Sequence, residues 1–240
     1  MNRIVRMVLL NSFRVPGLWS KLCHYAKHTD EYPEQEKWDH IHKILVHAVN
    51  AGNLDMVVTG LENLPEQDGF MFYANHQGMF DVVALAATCK RPLGCVLKKE
   101  LANVPLLKQI TACTKSFPMD REDVRQSLTV INSVIEEVKK GRNYLIFPEG
   151  TRSKQGNVMG DFHGGSFRCA VKAKCPIVPI AFVDSFKVLD QKGSKRMTVQ
   201  IHYLKPIAYE EFAGMSATEV AAMVKSRIQE KLDECLGAQA

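Results

Sequence analysis

The first 29 residues contain no aspartate or glutamate. Arg3, Arg6, Arg14, Lys21 and Lys27 lie there and account for the whole formal charge of +5, so the rest of the chain is balanced. A balanced body argues against a nucleic-acid partner, and the local excess marks one end for separate treatment. No uncharged apolar run approaches the roughly 20 residues that span a bilayer. The N-terminal candidate, Met7 to Phe13, is too short, is followed by Arg14 and leads to no small-residue cleavage pattern. Neither a signal peptide nor a transmembrane anchor is expected. The seven cysteines are odd in number and none forms a C-x-x-C pair, which disfavours a disulfide framework or a zinc site. Reduced thiols used as small apolar filler fit a cytoplasmic protein, and no metal site is expected. A G-x-S-x-G nucleophile elbow is also missing, which weighs against a serine hydrolase.

What is present suits one well-filled α/β core, since 240 residues are 46% hydrophobic and 24% charged, the balance of an ordinary globular chain. Residues 1–52 read as amphipathic helices. Ile4, Val5, Val8 and Leu9 form a short stripe, Pro16 and Gly17 interrupt it, and Leu18, Trp19, Leu22, Tyr25 and Ala26 resume it. After an acidic link, Trp38, Ile41, Leu45 and Val49 repeat the pattern and complete an N-terminal helical hairpin. From residue 53 to 240 short β-rich runs alternate with helical patterns. The strands are expected at 55–59, 70–74, 94–97, 144–147, 177–183 and 197–203, and the helices at 82–90, 104–112, 122–140, 165–174 and 217–236. Such alternation implies an α/β fold, a mostly parallel mixed sheet flanked by helices.

Two loops at the carboxyl ends of these strands carry chemistry. The first is Asn75-His76-Gln77-Gly78-Met79-Phe80-Asp81. A histidine five positions ahead of an aspartate across a strand-to-helix turn can receive the carboxylate on one ring nitrogen and keep the other free to take a proton. The spacing alone is a weak signal, because Asp81 could simply cap a helix beginning at Val82. The second is Phe147-Pro148-Glu149-Gly150-Thr151-Arg152-Ser153, where Pro and Gly end a strand and the turn can offer backbone N–H groups, a carboxylate and a guanidinium to one ligand. The planar fork of Arg152 suits a phosphate.

Together and in this order, the two loops resemble the glycerolipid acyltransferase family, whose best-known members acylate lysophosphatidic acid. NHQGMFD is similar to that family's first block and FPEGTRS to its third. Lys98-Lys99-Glu100-Leu101, Pro105 and Met119-Asp120-Arg121 follow the second block, and Ile177-Val178-Pro179-Ile180 the fourth. Phe162-His163-Gly164-Gly165 also stands where the family has an aromatic residue and glycine before a helix. One departure is Cys113-Thr114-Lys115, where a glycine is common.

The resemblance implies transfer of a fatty acyl group to lysophosphatidic acid, giving phosphatidic acid in phospholipid biosynthesis. His76 would be the base and Asp81 its support. Arg121 and Arg152 would grip the acceptor phosphate, with Lys99 a supplementary cation and Gly150 and Thr151 in the binding turn. Glu149 would either hydrogen-bond the glycerol or brace the loop. His163 and the cysteines read as structural. The co-substrate would be an acyl thioester of coenzyme A or acyl carrier protein, with no cofactor. Other acceptors are glycerol-3-phosphate, another lysophospholipid or an amino-acid lipid, and the alternative class is a non-catalytic lipid-binding protein. Lipid substrates imply a peripheral protein on the cytoplasmic face of the cell membrane, with the acid-free N-terminal helices, through Leu18, Trp19 and Leu22, meeting anionic phospholipid. The same stripe could instead pack on the α/β body.

Overall fold

The computed structural model describes residues 2–191 and 193–238. Three helices come first: α1 (Arg3–Leu10), α2 (Val15–Lys27) and α3 (Glu34–Ala51). The α/β body follows as β1 (Leu54–Thr59), β2 (Met71–Ala74), α4 (Phe80–Thr88), β3 (Leu93–Lys98), α5 (Leu107–Thr114), β4 (Phe117–Met119), α6 (Val124–Lys139), β5 (Asn143–Ile146), α7 (Gly164–Ala173), β6 (Ile177–Val183), α8 (Lys187–Asp190), β7 (Met197–Tyr203), α9 (Tyr209–Phe212) and α10 (Ala217–Gly237).

The strands form one sheet in the order β1-β7-β6-β2-β5-β3-β4. All neighbours pair in parallel except β6 with β7, so β7 and β1 run opposite to the other five. A strand covered on both faces carries apolar side chains on both, which is why β2 and β6 read as unbroken apolar runs. In β2, Phe72 and Ala74 face one core with α3 and α4, while Met71 and Tyr73 face the other with α6, α7 and α10.

This division positions the site. After β2 the chain turns to one face as α4, and after β5 it turns to the other as α7, although β2 and β5 are neighbours. Loops leaving adjacent parallel strands toward opposite faces open a crevice at the carboxyl ends of those strands. Both motif loops border it.

The N-terminal helices divide their roles. In α3, Trp38, Ile41, Leu45 and Val49 join the same core as the sheet. Leu22 and Tyr25 of α2 are buried with them, so Leu22 packs inward and is unavailable to a membrane. Arg3 is also inside. Its guanidinium donates to the carbonyls of Val188 at 3.0 Å and Lys195 at 2.8 Å, and to that of Gly52. What remains outside is an apolar strip of Ile4, Val5, Val8, Leu9, Phe13 and Trp19. No described helix is long and apolar enough to cross a membrane.

Candidate active site

Asp81 lies in the first turn of α4, which begins at Phe80, two residues before the helix expected from the sequence. Its side chain does not cap its own helix. Oδ2 accepts the backbone N–H of Gln77 at 2.7 Å and of Gly78 at 3.0 Å, folding the loop around the carboxylate, and also meets His76 Nδ1 at 2.7 Å. Oδ1 accepts the Ser185 hydroxyl. Asp81 is fully buried, whereas the His76 side chain keeps 15% of its surface. With an acceptor on Nδ1, the proton of neutral His76 resides there and Nε2 carries the lone pair. The ring stacks on Phe147, centroids 4.0 Å apart, which fixes its plane.

Glu149 joins the two motif loops. Oε1 accepts the His76 backbone N–H at 2.6 Å and Oε2 that of Gly160 at 2.9 Å. The Ser153 N–H returns a bond to the His76 carbonyl at 2.7 Å. Burial pushes the Glu149 carboxyl above its ordinary value, opposed by the N–H groups of His76 and Gly160. Of the two roles the sequence left open for Glu149, its contacts are those of a brace.

The remaining expected residues form a looser rim. Gly150 has φ +68°, the left-handed conformation that lets the chain turn sharply after β5. Beyond it, the N–H groups of Thr151 and Arg152 find no backbone acceptor among the described residues. Both side chains are exposed and line a groove of about 290 Å³ with Glu149, Lys154, Val158 and His163. The His163 N–H donates to the Pro148 carbonyl at 2.9 Å, a structural contact. Arg121, in the turn after β4, is exposed and has no ion pair among the described residues. Lys99 meets Asp120 at 3.3 Å beside it. Lys99 follows β3, one strand spacing or about 5 Å from β5, and Arg121 follows β4, two spacings or about 10 Å from it, at the same end of the sheet as the Arg152 turn.

Sequence reasoning passed over Gln77 and Ser185. Gln77 Oε1 accepts the Ser185 N–H at 3.0 Å, and its amide donates to the carbonyl of Phe182 and to Asn157, each at 2.8 Å. Gln77 lies inside the first motif and could have been suspected. Ser185 carries no such signal. The seven thiols are unpaired, and burial raises those of Cys89 and Cys113 to about 11 and that of Cys175 to about 12, so these three are filler rather than nucleophiles.

The sheet crevice thus holds a carboxylate-steadied imidazole, and beside it lies a turn with an exposed arginine and two backbone N–H groups that have no backbone acceptor among the described residues. The chain belongs to the acyltransferase family: the family model described as Acyltransferase matches residues 55–183. It is 32% identical over 187 residues to the 1-acyl-sn-glycerol-3-phosphate acyltransferase of Saccharomyces cerevisiae, covering 75% of this chain and 61% of that protein. It is 28% identical to the enzyme of the same name from Salmonella typhimurium, covering 68% of this chain and 67% of that one. The crystal structure of the 1-acyl-sn-glycerophosphate (LPA) acyltransferase from Thermotoga maritima superposes with a TM-score of 0.75 over 97% of both chains at 20% identity, a likeness of fold. The chain thus spans about three fifths of the yeast relative's length.

Proposed function

We propose that this protein is a 1-acyl-sn-glycerol-3-phosphate acyltransferase, moving a fatty acyl group from a thioester of coenzyme A or acyl carrier protein to lysophosphatidic acid to give phosphatidic acid. The observation that carries this reading is the His76–Asp81 pair, with Nδ1 occupied by a buried carboxylate and the imidazole side chain itself 15% exposed. Nε2 takes the proton of the acceptor hydroxyl as its oxygen attacks the thioester carbonyl. Asp81 balances the imidazolium that forms. The tetrahedral intermediate collapses by breaking the C–S bond, and the proton on Nε2 passes to the departing sulfur. A thioester already carries a good leaving group, so orientation and proton transfer are the work left to the protein. Arg152 and Arg121, exposed and without ion pairs among the described residues, are cations for the acceptor phosphate, and Lys99 adds positive charge beside Arg121. Gly150 and Thr151 shape the turn that meets it.

The same reading places the protein peripherally on the cytoplasmic face of the membrane, docked through α1 and the start of α2. Phe13 is 74% exposed with Leu9 and Val8 nearby on the strip, and Arg14 stands over the Phe13 ring. Burying such a side chain contributes about 1.5–3 kcal/mol, and each cation near anionic lipid about 1 kcal/mol. Seven unpaired thiols accord with a reducing compartment. The test is acyl transfer by purified protein to lysophosphatidic acid, glycerol-3-phosphate and a lysophospholipid lacking a free phosphate monoester, with each thioester donor. Preference for lysophosphatidic acid supports the reading; equal use of the third acceptor refutes it.

A further inference from the structure

Asp81 Oδ2 is held by three donors, but Oδ1 has one, the hydroxyl of Ser185, which is fully buried. Ser185 arrives from 104 residues away, in the turn between β6 and α8. Its hydroxyl also lies 3.0 Å from Gln77 Oε1. A hydroxyl has a single proton and gives it to the stronger acceptor, here the carboxylate, because Gln77 Oε1 already receives the Ser185 N–H at 3.0 Å.

The turn that delivers Ser185 is itself fixed. Asp184 sits at φ +63°, a conformation costly for a residue with a side chain. It is held there by a reciprocal pair with Asn157: the Asp184 N–H donates to Asn157 Oδ1 and Asn157 Nδ2 to Asp184 Oδ1, each at 2.9 Å. Asn157 Oδ1 also accepts from Gln77. The loops after β2, β5 and β6 are therefore closed into one hydrogen-bonded unit whose buried inner end is the Ser185 hydroxyl on Asp81.

We propose that Ser185 is a positioning residue of the catalytic pair: it fixes the plane of the Asp81 carboxylate and, through Oδ2, the direction in which His76 Nε2 points. Without it the carboxylate can swing about its own axis, limited only by the loop N–H groups. Glu149, after β5, contacts the pair only through the His76 backbone N–H, and Ser185 is the one donor on Asp81 Oδ1 among the described residues. The catalytic consequence rests on the acyl transfer proposed above, whereas the hold on the pair does not.

The test compares wild type, Ser185→Ala and Ser185→Cys, the last keeping volume and a weak donor. In Ser185→Ala, kcat falls roughly tenfold with KM for lysophosphatidic acid unchanged. Ser185→Cys lies between the two. Independently of turnover, the far-downfield proton resonance of His76 Nδ1–H moves upfield or broadens in Ser185→Ala. An alanine variant with wild-type kcat and resonance overturns the inference. So does a variant whose loss tracks only the amount of folded protein while the resonance stays fixed. Wild type inactive toward lysophosphatidic acid would instead overturn the proposed activity, with the resonance still reporting whether Ser185 holds the pair.

Discussion

Glu149→Gln separates bracing from substrate contact. In the wild type both carboxylate oxygens accept backbone N–H groups, from His76 at 2.6 Å and from Gly160 at 2.9 Å, and Glu149 is 6% exposed. An amide of the same shape has one acceptor and one donor end, so whichever way it turns, an NH₂ group faces a backbone N–H. One charge-assisted bond is lost and one buried donor is stranded, together costing about 2–4 kcal/mol. For a chain of this size that lowers the melting temperature by roughly 5–15 °C. Because the His76 backbone is one of the two anchors, kcat should fall as well, with KM for the acceptor changed little. Thermal unfolding by circular dichroism and steady-state acyl transfer provide the two readings. A glutamine variant that melts with the wild type and shows only a raised KM would refute the brace and make Glu149 a substrate ligand.

Other consequences are independent of that experiment. A Cβ at Gly160 would stand 2.8 Å from Glu149 Oε2, so Gly160→Ala should destabilise by about 1–3 kcal/mol and lower activity, as seen by melting and assay. Since burial raises the Glu149 carboxyl above its ordinary 4.5, its contribution to stability is complete below that value and declines as pH rises through the raised value; denaturant titrations should show this slope in wild type and not in Glu149→Gln. Arg3→Ala strands buried carbonyls and should lower the melting temperature without changing the salt dependence of binding to anionic vesicles. Phe13→Asp should weaken sedimentation with those vesicles about tenfold or more and leave the melting temperature unchanged.

Much of this architecture was legible because doubly covered strands must be apolar throughout; β6 and β7 match their expected bounds of 177–183 and 197–203. The sequence did not mark β4 as an apolar run, since it is three residues at the sheet edge with Pro118 in its middle. Helix α5 begins at Leu107 rather than Val104 because Leu106 takes φ +74° after Pro105. A periodic stripe reports that a helix has an apolar side, not what covers it, so Leu22 and Arg3 went inside while Phe13 stayed out. The His76–Asp81 pair could be read because its members are five apart in one loop. The Ser185 contact could not, as a single serine after a strand has no pattern and its partner is distant in the chain.

Acyl transfer from a thioester to lysophosphatidic acid, measured with wild type beside folded His76→Ala, tests the central claim most directly. Wild type should form phosphatidic acid, and the alanine variant should lose on the order of a thousandfold or more in kcat with lipid binding retained. Equal product from both proteins would show that the proton leaves the hydroxyl by another route.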